Sequence, residues 1–169
     1  DVGSSVSVAT VAFLTGTTNI NGAYSATTAT TASSGGDVNF NPGATVNSVG
    51  ALTISNGSST VTFNTGTAIA PTTLTLSSGT LAGTDVVSVS GATTLTGGVM
   101  TGTGTTTLNG NVTMSGSGPL NLTGGRKLNT TATTTMTGGG ASYFRTGGGA
   151  SINNSGTWQD QTTTNATIS

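Results

Sequence analysis

The 169 residues include three basic and four acidic side chains, no His and no Cys, beside 41 Thr, 20 Ser and 28 Gly, for a net charge of −1. So few charges and prolines exclude the usual disordered chain, the scarcity of Glu, Lys, Gln and Arg argues against helices, and Arg126, Lys127 and Arg145 form no stripe that could neutralise a run of phosphates. Thr favours strands and Gly favours tight turns, so an all-β chain is expected.

Residues 1–45 come first and are the least regular. Phe13-Leu14, Ile20, Val38-Asn39-Phe40 and Val46 are scattered apolar points, and Thr27 to Gly36 has no large apolar residue and reads as a loop. Irregular coils, a cap or a strand exchanged with a neighbouring molecule are the expectations for this unit. Its start, Asp1-Val2-Gly3, has no basic and apolar signal-peptide pattern, and no apolar run of about 18 residues anywhere in the chain predicts a membrane-spanning helix.

Residues 46–169 carry a repeat. Ile54, Leu76, Leu95, Met114, Met136 and Trp158 are separated by 22, 19, 19, 22 and 22 residues, and turn dipeptides such as Asn56-Gly57, Ser78-Gly79, Gly97-Gly98 and Gly138-Gly139 follow them. A second apolar group comes five to nine residues later (Val61 and Phe63, Leu81, Met100, Leu120 and Leu122, Tyr143 and Phe144). A third follows as Ile69, Val87 and Val89, Leu108, Leu128 and Ile152. Three apolar patches per coil of about 19–22 residues predict a right-handed parallel β-solenoid with three short strands per coil and a triangular cross-section.

Side chains alternate along a strand, so if the column Ile54 to Trp158 faces inward, its neighbours face outward. Those neighbours are Thr53 and Ser55, Thr75 and Ser77, Thr94 and Thr96, Thr113 and Ser115, Thr135 and Thr137, then Thr157 and Gln159. Eleven of these twelve are hydroxyl residues, where composition alone gives between four and five. The eleven form the candidate surface-binding ladder. Hydroxyls ~7 Å apart along a strand and ~4.8 Å apart between coils could order water on an ice surface. The plainer reading is that Thr is the best uncharged strand former and that Thr ladders help neighbouring coils pair.

Chemistry has few candidates. There is no Glu, and Asp1, Asp37, Asp85 and Asp160 read as scattered turn or surface residues, so a general acid and base pair is not expected and the chain is read as no enzyme. Ser34-Gly35-Gly36-Asp37 occurs once, whereas calcium-binding solenoids repeat such a motif every turn, so neither metal nor cofactor is expected. Gly138-Gly139-Gly140 and Gly147-Gly148-Gly149 lack the Lys and Ser/Thr of a phosphate loop and read as turns. Tyr143, Phe144, Arg145 and Trp158 could stack on a sugar, but Trp158 in the inward column is better read as core, and Arg126-Lys127 as a solvated turn.

The string Thr75-Leu-Ser-Ser-Gly-Thr-Leu-Ala-Gly-Thr84, answered by Thr94-Leu-Thr-Gly-Gly-Val-Met-Thr-Gly-Thr103, resembles repeats of giant bacterial surface proteins, among them autotransporter passengers and filamentous-haemagglutinin-like adhesins. Ile152-Asn-Asn-Ser-Gly-Thr-Trp158 is similar to a further recurrent segment of those proteins. The resemblance covers about residues 50–160 and implies a secreted β-helical stalk or fibre, extracellular or at the cell surface. It carries no catalytic or ligand residue across. The expectation is therefore a non-catalytic rod whose coils continue axially, in a longer chain or by end-to-end association with other copies. Nucleic acid and membrane spans are not expected. The alternative is a module that binds an ice or glycan surface.

Overall fold

The computed structural model describes residues 3–116, 118–137 and 144–162, and among them there is no helix. In chain order the strands are β1 (Ser5–Phe13), β2 (Gly16–Ile20), β3 (Ala23–Ala32), β4 (Gly36–Phe40), β5 (Thr45–Ser48), β6 (Ala51–Ile54) and β7 (Thr60–Phe63). They continue as β8 (Thr73–Leu76), β9 (Thr80–Gly83), β10 (Val87–Val89), β11 (Thr93–Leu95), β12 (Gly98–Met100), β13 (Thr105–Leu108) and β14 (Val112–Met114). The last are β15 (Leu120–Leu122), β16 (Lys127–Thr130), β17 (Thr134–Met136), β18 (Phe144–Thr146), β19 (Ser151–Asn154) and β20 (Trp158–Asp160).

All pairings are parallel, and they sort the strands into three sheets. The first runs β1-β3-β6-β8-β11-β14-β17-β20, with β5 also on β3; the second runs β2-β4-β7-β9-β12-β15-β18; the third runs β10-β13-β16-β19. Stacked coils of this kind make a β-solenoid of about seven turns. Successive strands of a sheet come from successive coils, each one strand spacing further along the stack, so parallel pairing follows from the winding; the third sheet begins only at β10.

The sequence register holds through the middle. Ile54, Leu76, Leu95, Met114 and Met136 are paired one on the next, and all five are buried. The same column reaches back through Ala32 to Phe13, so β1 and β3 lie in the same sheet as the later coils. Thr27 to Ala32, expected in a loop, is the second half of β3; Ala26, Thr30 and Ala32 point inward there because bulky neighbours fill the core. Phe13, Tyr24, Phe40 and Phe63 form a run of ring contacts with centroid distances of 6.5, 4.9 and 4.8 Å, the middle one edge-to-face. Such ring pairs add about 0.5–1.5 kcal/mol each beyond area burial.

The last coil departs from the expected register. Trp158 lies opposite Thr134, and the residue opposite Met136 is Asp160. The final step of the column is thus 24 residues rather than 22, and Trp158 belongs to the adjacent inward file, packed 5.5 Å from Phe144. Tyr143, Gly138-Gly139-Gly140 and the residues after 162 lie outside the described residues.

Candidate functional site

Two features of the prism carry polar chemistry: the hydroxyl face of the first sheet and a buried corner between the second and third sheets. On the first sheet, Thr31, Thr53, Thr75, Thr94, Thr113 and Thr135 pair in one unbroken file that ends at Gln159. The residues after the inward column form a second file. There the N–H groups of Ser33, Ser55, Ser77, Thr96, Ser115, Thr137 and Gln161 each donate to the inward-column carbonyl of the coil before. Ten of the eleven expected ladder residues therefore stand in two adjacent outward files. Thr157 does not: the Thr134 N–H donates to its carbonyl, which puts it beside Thr133, two residues from the ladder. The cause is the 24-residue last coil.

The buried corner was missed by the sequence. Arg126, expected in a solvated turn, is fully buried, and Asp85, expected at the surface, is only 5% exposed. Four stacked glycines form the turn beside them, Gly83, Gly102, Gly124 and Gly148, at φ of 111°, 85°, 66° and 59°, a region other residues enter only with strain. Past that turn, the ladder places Asp85, Gly104 and Arg126 one above another, since Val87 pairs with Thr106 and Thr105 with Lys127.

Glycine at 104 is what makes the arrangement fit. A Cβ there would lie 2.7 Å from Arg126 Nη1 and would collide with the Asp85 carbonyl oxygen. Through that gap the guanidinium reaches back across two coils. Its Nη1 donates to the Gly83 carbonyl at 3.2 Å, and Nε and Nη2 donate to Thr106 Oγ1 at 3.1 and 2.6 Å. Asp85 accepts from the Thr65 N–H at 2.6 Å, the Thr65 hydroxyl at 2.7 Å and the Gly66 N–H at 3.0 Å. Burial pulls the Arg126 guanidinium down to about 10, and the charge of Asp85 opposes that shift. The network thereby ties together four successive coils.

A shallow cleft of about 240 Å³ opens beside this corner, lined by Gly66, Thr67, Ala68, Thr84, Asp85 and Val86. The Asp85 carboxylate accepts three internal hydrogen bonds, so the corner acts as an internal clasp. A signal for it existed in the sequence: Asp85, Gly104 and Arg126 each stand two residues before an inward residue of the third sheet, Val87, Thr106 and Leu128. Opposite charges in one file with a glycine between them mark a clasp.

The other charges are dispersed. Asp37 accepts the Thr60 N–H at 2.8 Å, and exposed Asp160 is held below the usual carboxylate range by the hydroxyl and N–H of Thr162. Arg145 and Lys127 are exposed, on the second and third sheets. No group of three or more metal-ligating side chains occurs among the described residues, and no helix there is long and apolar enough to cross a membrane. No family model, no curated protein and no solved structure matches the chain.

Proposed function

We propose that this chain is a structural rod of an extracellular or cell-surface filament or adhesin stalk, non-catalytic and extended end to end. The observation that carries the reading is the unbroken stacking of coils from β1 to β20, with an outer surface rich in uncharged hydroxyl residues and poor in charges. A solenoid whose coils touch only their neighbours can lengthen without a new fold, and a surface with so few charges builds up little self-repulsion as coils are added. The buried charges serve the stack itself. Antibodies against the folded chain, applied to intact producing cells and imaged by immunogold electron microscopy, should label the outer surface and projections from it. Label confined to permeabilised cells would sink the proposal.

A second reading is supported by the in-register hydroxyl files on the first sheet. Thr53, Thr75, Thr94 and Thr113, with Ser55, Ser77, Thr96 and Ser115 beside them, repeat at the strand and coil spacings over four successive coils. An array of that spacing is suited to holding ordered water at an ice surface. Replacing Thr94 and Thr113 with Lys should abolish any thermal hysteresis while leaving the circular dichroism spectrum unchanged. A wild-type protein without hysteresis or ice shaping at high concentration removes this reading.

A further inference from the structure

An Asn followed by Gly loses its side-chain amide more readily than any other Asn, because glycine has no Cβ to hinder the approach of its own backbone nitrogen to the Asn side-chain carbon. The chain has three such pairs, Asn21-Gly22, Asn56-Gly57 and Asn109-Gly110, and the fold treats them differently. Ring closure needs a carboxamide that is free to turn and a backbone that can turn with it.

Two of the pairs are held. Asn21 Oδ1 accepts from Asn41 Nδ2 at 2.7 Å, and Asn109 Nδ2 donates to Ser88 Oγ and to the Val89 carbonyl, both at 3.1 Å. Their glycines are pressed onto the coil before: a Cβ on Gly22 would run into the Ser4 carbonyl, and one on Gly110 into the backbone of Gly91. Next to them, the Ala23 N–H donates to that same Ser4 carbonyl and the Asn109 N–H to that of Val89. Neither glycine nitrogen can swing onto its neighbour's side chain without breaking bonds between coils.

Asn56-Gly57 is open. It lies in the turn between β6 and β7, where Gly57 and Ser58 are exposed, and a Cβ on Gly57 would meet only the Ser78 carbonyl oxygen, at an ordinary 3.7 Å. The Asn56 Nδ2 has no hydrogen-bond partner among the described residues. The Ser58 N–H donates to Asn56 Oδ1 at 2.9 Å, which folds the carboxamide back over the Asn56-Gly57 peptide. A donor on that oxygen also meets the negative charge that develops there when a nitrogen adds to the carbon.

We propose that Asn56 is a site of spontaneous modification, losing its amide to give aspartate and isoaspartate while Asn21 and Asn109 keep theirs. The Gly57 nitrogen gives up its proton and bonds to Asn56 Cγ, the Cγ–Nδ2 bond breaks, and ammonia departs with the proton, leaving a succinimide ring. Water then opens the ring at either carbonyl. Opening at Cγ gives aspartate, and opening at the main-chain carbon gives isoaspartate, whose backbone runs through the former side chain. Overall one carboxamide and one water become a carboxylate and an ammonium ion, with no oxidation or reduction. The product puts a carboxylate into residues 38–84, which carry no charge of their own. Isoaspartate also displaces the carbonyl that accepts from the Ser59 N–H at 2.8 Å, in a turn against which Gly79 is closely packed.

The proposal stands apart from the rod and ice readings, and its test is chemical. Folded wild type is held in mildly alkaline buffer and mapped by mass spectrometry of its peptides, with enzymatic methylation to report isoaspartate. Acid should accumulate at residue 56 while residues 21 and 109 stay amidated, whereas in urea all three pairs should react. Gly57→Ala should keep the wild-type melting temperature, since the added Cβ has room, and should slow the loss at Asn56 about tenfold, a rise of about 1.4 kcal/mol in the barrier. Equal loss at all three pairs in the folded protein, or none at residue 56 over the time in which the unfolded chain reacts, would overturn the site. Loss at Asn56 that Gly57→Ala leaves unchanged would overturn the ring-closure route. Should that variant fail to fold, the comparison of folded with unfolded wild type decides the matter alone.

Discussion

The hydroxyls of Thr93 and Thr134 are buried without a hydrogen-bond partner, and both stand in the inward file that also holds Leu52, Leu74 and Val112. A buried hydroxyl left unpaired forfeits its bonds to water, and valine reproduces its branched shape without that loss. Thr93→Val and Thr134→Val should each stabilise the fold by about 1 kcal/mol, read from urea unfolding midpoints; a lowered midpoint would mean that the hydroxyls are bonded after all. Thr30, in the same file, is different, because its Oγ1 lies 2.8 Å from the Tyr24 hydroxyl. Burial pushes the Tyr24 phenol above its ordinary 10.0, and the bond to Thr30 only partly opposes it. The unfolded chain therefore ionises this phenol first, so its contribution to stability is complete below about pH 10 and declines as pH rises through the folded value. Tyr24→Phe should be less stable than wild type at pH 8 by about 1 kcal/mol. Between pH 9 and 11 it should lose less stability than wild type does, and equal losses would show that Tyr24 does not drive the alkaline transition.

At the level of elements, the corner between the second and third sheets is held by an interaction across coils. Arg126→Ala would leave Asp85 buried with no compensating charge and the Thr106 hydroxyl and Gly83 carbonyl without their donor, an expected loss of about 3–5 kcal/mol. Asp85→Asn keeps the shape but not the charge. A double-mutant cycle on the pair should be non-additive by roughly 1 kcal/mol, and additive losses would mean that the two charges do not sense each other across Gly104. This clasp was hidden in the sequence because Gly124-Gly125-Arg126-Lys127 reads as turn chemistry, and the inward turn of Arg126 shows only when coils are aligned on Val87, Thr106 and Leu128. The central coils were legible because Ile54 through Met136 are large and recur at fixed intervals. The first coils were not, because Ala26, Thr30 and Ala32 fill inward positions beside Tyr24 and Phe40, so a search for bulky residues finds no column there. The last coil was read two residues early because Trp158 is the only large apolar residue near the expected step, and the true column residue is an acid.

For the whole molecule, the one-dimensional stacking of coils sets how stability is distributed. Among the described strands of the first sheet, the interior ones pair on both sides, whereas β1 and β20 pair on one side only. In such a stack the free energy to open a coil includes one interface at an end and two in the interior, so opening proceeds inward from the ends. The ends are also the least buried: β20 has no buried residue, and no residue of β1 is fully buried either. Amide hydrogen exchange should therefore be slowest in β6, β8 and β11, whose inward residues are all buried and whose neighbours on each side belong to the same stack, and fastest in β1, β19 and β20. Uniform protection from β1 to β20 would mean that the solenoid opens as one cooperative unit.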